Sequence, residues 1–130
     1  MWAHYASGHS GVCLKLRHTG FFDRAQRVLY NDEPRTIDPY DDSLVGLDIV
    51  RLTLTKATAW AYEKEWRIVD HVTGSGVHKF APHLLSAVIL GMKMGERERE
   101  KICHWVRLRS HPTQLLQAKE SNGNLIFEAL

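Results

Sequence analysis

Apolar residues in this chain fall into short runs separated by polar turns, and the spacing inside each run predicts its form. Met1 to Ser7 reads as a short helical turn ended by Gly8. Gly11 then opens an apolar strand, Val12 to Leu16, and Gln26 to Tyr30 reads as a second short strand in which Val28 and Tyr30 alternate. Asn31 to Asp42 holds two prolines and many acids, which predicts a loop.

Two periods compete between Ser43 and Tyr62. Leu44, Leu47, Val50, Leu54, Ala57 and Ala61 share one face at helical spacing, and Asp42 or Ser43 is a suitable cap. Arg51-Leu-Thr-Leu-Thr55 also alternates as a strand would. The apolar stripe persists for five turns, so a helix is expected. A strand follows at Glu65 to Asp70. Thr73-Gly-Ser-Gly76 is a turn, which predicts that Val77 to Phe80 hairpins back on Trp66 to Val69.

The remaining pattern is simpler. Ala87-Val-Ile-Leu90 is a continuous apolar run bounded by Gly91, as expected of a central strand. Gly95 to Leu108 reads as a helix, with Glu96 and Glu98 at its start and Arg107 and Arg109 at its end, as the helix dipole favours. Thr113 to Ala118 and Leu125 to Glu128 read as strands joined by a hairpin turn at Asn122-Gly-Asn124. The sum is an α+β fold with a mostly antiparallel sheet and two to three helices.

Composition narrows the class. At 130 residues the chain is expected to be a single domain, residues 1–130. Hydrophobic content of 44% and charged content of 25% fit a folded globular protein and argue against disorder. A net charge of +2 gives no general argument for nucleic acid or membrane. The basic stretch from Lys93 to Arg109 is interleaved with Glu96, Glu98 and Glu100, which would repel phosphate, so nucleic acid is not the expected partner. The apolar run Leu84 to Met92 is far shorter than a membrane span of about 20 residues. Cys13 and Cys103 are isolated, have apolar neighbours and read as ordinary buried thiols, which fits a reducing cytoplasm. No signal peptide is recognisable.

Candidate chemistry concentrates in Trp60-Ala-Tyr-Glu-Lys-Glu-Trp-Arg-Ile68. On a strand, Glu63, Glu65 and Arg67 share one face, and Trp66 and Ile68 the other, buried one. One reading is a wet sheet face on which Glu65 and Arg67 pair weakly. The other is a pocket in which a carboxylate stands beside an arginine and is walled by Trp60 and Tyr62. The eight histidines lack the spacing of a zinc pair, so no metal is expected. His4 draws notice through its neighbours Trp2 and Tyr5, at the mouth of the first strand. No P-loop, GxGxxG or GxSxG motif is present.

Several stretches together resemble a bacterial family, the domain of unknown function 2971. They are Met1-Trp-Ala-His-Tyr-Ala6, Gly11-Val-Cys-Leu14, Val28-Leu-Tyr30, Lys56 with Trp60 to Arg67, Phe80-Ala-Pro82 and Leu85 to Gly91. The resemblance implies that members carry a further N-terminal region, so Met1 reads as an internal methionine of a longer ancestor. A missing strand would leave a sheet edge open for self-association.

An aromatic-framed Glu-x-Glu entering a strand, followed by a central strand, is also similar to the ADP-ribosyltransferase superfamily. That similarity implies a partial fold of that type and NAD as cofactor, a small-molecule nucleotide. It makes Glu65 the carboxylate that binds the nicotinamide ribose and stabilises an oxocarbenium-like transition state. Glu63 would help to position the acceptor. His4, Tyr5, Trp60, Tyr62 and Arg67 would line the cofactor site. The alternatives are a non-enzymatic protein-interaction module and an inactive fragment.

Overall fold

The computed structural model describes residues 2–33, 45–70 and 72–130. In chain order its elements are α1 (Trp2–Tyr5), β1 (Val12–Leu16), β2 (Gln26–Arg27), β3 (Leu29–Tyr30), α2 (Val45–Thr53), β4 (Thr55–Lys56), β5 (Trp66–Arg67), β6 (Leu85–Leu90), α3 (Glu96–Arg107), β7 (Gln114–Ser121) and β8 (Asn124–Ala129). Single 3-10 turns lie at Gly20–Arg24, Thr58–Glu63 and Pro82–Leu84. The fold is α+β with mainly antiparallel pairing, as the sequence pattern predicts. Two compact units divide the chain: Met1–Thr19 with Lys79–Leu130, and Gly20–His78.

The first unit is built on a four-stranded sheet of order β1-β6-β7-β8. β6 pairs antiparallel with β1 and parallel with β7, and β7 pairs antiparallel with β8. The parallel pair needs a crossover, and α3 supplies it. Leu85, Ala87, Val88, Ile89 and Leu90 of β6 are all buried, so this strand is covered on both faces, as its unbroken apolar run requires. Leu85, Val88 and Leu90 form the core, and Ile102, Cys103 and Val106 of α3 pack on it.

Gly91 ends β6 where the chain meets a backbone. A Cβ there would lie 2.0 Å from the His9 carbonyl oxygen, so only glycine fits. Gly91 and Lys93 donate backbone N–H bonds to Gly11 and His9 and lock this junction. In the β7–β8 hairpin, Asn122 and Gly123 both have positive φ, the backbone of a two-residue type I′ turn. The turn is therefore one residue tighter than the sequence reading.

The second unit pairs short strands. β2 runs antiparallel to β5, and β3 runs parallel to β4. Val28, between β2 and β3, is buried and donates its N–H to the Glu65 carbonyl; Leu54 is the other buried apolar side chain described here.

Several expectations change in this unit. α2 ends at Thr53 and does not run on to Tyr62. The Thr53 and Thr55 hydroxyls donate to the carbonyls of Ile49 and Arg51, four residues back, a bond that competes with continued helix. Thr55–Lys56 is then captured by β3. The start expected at Ser43 and most of the Asn31–Asp42 loop lie outside the described residues. The Gln26–Tyr30 strand is two short strands broken at Val28.

The Glu65–Asp70 strand is only Trp66–Arg67, and its partner is β2, not Val77–Phe80, which forms no strand. Asp70 accepts the N–H groups of Val72 and Thr73, which closes a turn just before the expected Thr73–Gly76 one, and the chain forms no strand pair after it. Trp66 is 59% exposed and does not occupy a buried face. Cys13 is exposed on edge strand β1, which corrects its reading as a buried thiol; Cys103 is half-buried against the core.

Candidate functional site

The second unit gathers three charged side chains, Glu63, Glu65 and Arg67, around Lys56. The parallel pairing of β3 with β4 sets Tyr30 beside Lys56. After Lys56 the chain turns into the 3-10 segment Thr58–Glu63. The carboxylate of Asp32 anchors its first residue, accepting the N–H of Thr58 at 2.8 Å and also its hydroxyl. These bonds hold the Asp32 carboxyl below its ordinary pKa. The 3-10 turn ends at Lys64, whose left-handed backbone (φ 48°) redirects the chain into β5.

That redirection brings both glutamates to one cation. Lys56 Nζ lies 2.5 Å from Glu63 Oε2 and 3.4 Å from Glu65 Oε2. Arg67 grips Glu65 from the other side, with Nε 2.6 Å from Oε1 and Nη2 3.1 Å from Oε2. This is the paired-donor geometry for which a guanidinium is suited. Arg67 Nη1 also donates to the Thr53 carbonyl, and the Glu65 N–H donates to the Tyr30 hydroxyl at 2.8 Å. Each carboxylate therefore has a named cation, and the arginine is tied back to the end of α2.

Burial separates the two acids. The Glu63 side chain is 1% exposed and the Glu65 side chain 26%. Glu63 is closed off from solvent, whereas Glu65 keeps an accessible edge. The bonds from Arg67 are the main reason the Glu65 carboxyl sits below its ordinary pKa, against the opposing effect of burial, with Lys56 helping. Arg67 is raised by the same hydrogen bond. Glu65 is thus a fixed anion at neutral pH. It cannot serve as a general acid there, but it can face a developing positive charge.

Aromatic rings stand beside this cluster. The Lys56 ammonium lies 4.7 Å from the centre of the Trp60 ring, within cation–π range. Trp60 and Tyr62 are 6.1 Å apart, tilted by 34°, and both are partly exposed. The structure therefore brings together Glu63, Glu65, Arg67, Trp60 and Tyr62. His4 and Tyr5 lie exposed in α1 of the first unit.

The residue the spacing argument passed over is Lys56, which joins the acids. Its signal was faint: a single lysine seven residues before Glu63, in a stretch read as helix. Tyr30 and Thr53 were missed for a related reason, since both act through the β3–β4 pairing and the end of α2. Among the described residues, no helix is long and apolar enough to cross a membrane.

Residues 1–68 match the family described as Protein of unknown function (DUF2971). No curated protein and no solved structure matches the chain. The matched span covers the N-terminal half and ends just after Arg67, so it includes every member of the charged cluster. The chain belongs to the DUF2971 family.

Proposed function

We propose that the second unit carries an NAD-handling site of the ADP-ribosyltransferase or NAD glycohydrolase type, with Glu65 as its working carboxylate. The observation that carries this reading is the difference between the two acids: one sealed against Lys56, the other held by Arg67 with an accessible edge. A small unit gains little stability from such a cluster, because desolvating ion pairs offsets much of their attraction. Perturbed, partly enclosed charges of this kind concentrate at functional sites.

In the proposed reaction the bond between C1′ of the ribose and the nicotinamide nitrogen breaks. The electron pair leaves with neutral nicotinamide, and positive charge develops on the sugar. Glu65 stabilises that charge. Water, or a nucleophilic acceptor, adds to C1′ and gives up its proton. Glu63 is too enclosed to meet an acceptor, so its part is to position Lys56. Arg67 orients Glu65, and Trp60 and Tyr62 offer ring faces to the nicotinamide or adenine.

NAD titrations followed by thermal shift, on wild type and Glu65→Gln, test the binding half of this reading. Saturable stabilisation of both proteins is expected; no stabilisation of the wild type contradicts it. A second reading, a protein-interaction module, is favoured by the exposure of Trp60, Tyr62 and Trp66 in one unit. Under that reading NAD has no effect.

A further inference from the structure

The first unit carries a polar cleft that the Glu65 site does not use. Its volume is about 660 Å³, and its polar lining comes from Lys15, Arg17, Ser86, Thr113 and Gln114. A strand irregularity shapes it. β1 and β6 pair Lys15 with Ala87 and Leu16 with Leu85, so Ser86 has no opposite residue, and its hydroxyl donates to the Lys15 carbonyl at 2.9 Å. β7 starts on the other side of β6, with Gln114 beside Ala87. Lys15 and Gln114 thus flank β6 from its two neighbouring strands.

The described lining is rich in donors and holds no acid. Arg17 is anchored by its backbone N–H to Leu84 O at 2.8 Å and by Nε to His83 O at 3.2 Å. Its two terminal nitrogens have no protein partner among the described residues. Neither does the Lys15 ammonium or the Gln114 amide. Arg109 brings a third positive charge one bond away, donating Nε to Thr113 Oγ1 at 2.9 Å and Nη2 to Pro82 O at 2.7 Å. Among the described residues, no carboxylate lines the cleft.

We infer that this cleft binds a small phosphoryl anion, free or as the ester of a small metabolite. An anchored guanidinium with its terminal nitrogens unused suits the paired oxygens of a phosphoryl group, and a lysine supplies a second point charge. A nucleic-acid strand would need a row of cations along its path, whereas this lining offers Lys15 and Arg17 close together. The inference is independent of the Glu65 reading, because every residue in it belongs to the first unit.

Calorimetric titration at low salt with inorganic pyrophosphate and with ADP tests it. Saturable one-to-one binding is expected. Lys15→Gln and Arg17→Gln should each weaken it by about tenfold, the effect of losing one charge-assisted bond. The double variant should bind undetectably, and Lys101→Gln, on the exposed side of α3, should match wild type. Tighter binding of ADP identifies an ester as the ligand; equal binding identifies the free anion. Amide NMR shifts centred on Arg17, Ser86 and Gln114 give a check that needs no variant. Absence of saturable binding, unchanged binding in the double variant, or shifts centred elsewhere would overturn the inference.

Discussion

A glutamate side chain at 1% exposure has little water to solvate its charge, and here the Lys56 ammonium takes that place. Removing Lys56 takes the ammonium at 2.5 Å away from a buried anion. Lys56→Met is therefore expected to cost about 3–5 kcal/mol, read as a lower urea midpoint. Glu63→Leu added to it should recover much of that loss, since an apolar pair of similar volume replaces a buried ion pair at little cost. If the double variant is as unstable as the sum of its parts, Lys56 and Glu63 do not act as a pair. The spacing of Glu63 and Glu65 with their aromatic neighbours was legible from sequence. Lys56 belonged to the family resemblance, but its role between the acids was not legible, because it comes from a parallel pairing between residues 26 positions apart, Tyr30 and Lys56. No local period carries such a contact.

At the scale of elements, legibility followed how strongly one period dominated. β6, α3 and the β7–β8 hairpin have one reading each: an unbroken apolar run, charges placed along the helix dipole, and Asn-Gly between strands. β6, α3 and β8 formed within two residues of expectation, and β7 ran three residues further than expected, to Ser121. The stretch from α2 to β5 has mixed periods, and there threonine hydroxyls, an aspartate anchor and a left-handed lysine decided the outcome. The junction after β6 gives a clean test. Gly91→Ala forces a methyl against the His9 carbonyl and should destabilise by about 1–3 kcal/mol or more, seen as a lowered thermal midpoint. Gly74→Ala meets no neighbour and pays only for its positive φ, so it should cost less. Equal costs at the two sites would rule out the close approach as the cause.

For the molecule as a whole, the carboxylates of the second unit set its response to acid. Asp70 is lowered to about 2, first by the Thr73 hydroxyl and then by the N–H groups of Val72 and Thr73. Glu65 and Asp32 are lowered in the same direction. A carboxyl held below its ordinary value stabilises the fold above that value, and the contribution is lost as pH falls through the folded one. These groups should therefore leave stability flat between pH 7 and 5. They should erode it from about pH 4 down to about pH 2. Asp70→Asn should flatten part of that acid limb and leave neutral-pH stability lower than wild type. An unchanged acid limb would mean that the turn at Asp70 does not hold in solution.

Nicotinamide release from NAD is the direct test of Glu65 as the working carboxylate. Wild type is expected to release nicotinamide measurably. Glu65→Gln should bind NAD but release nicotinamide slower by about 100-fold or more, the scale of losing one electrostatic stabiliser of the transition state. No release by wild type, or release by Glu65→Gln at the wild-type rate, would contradict it.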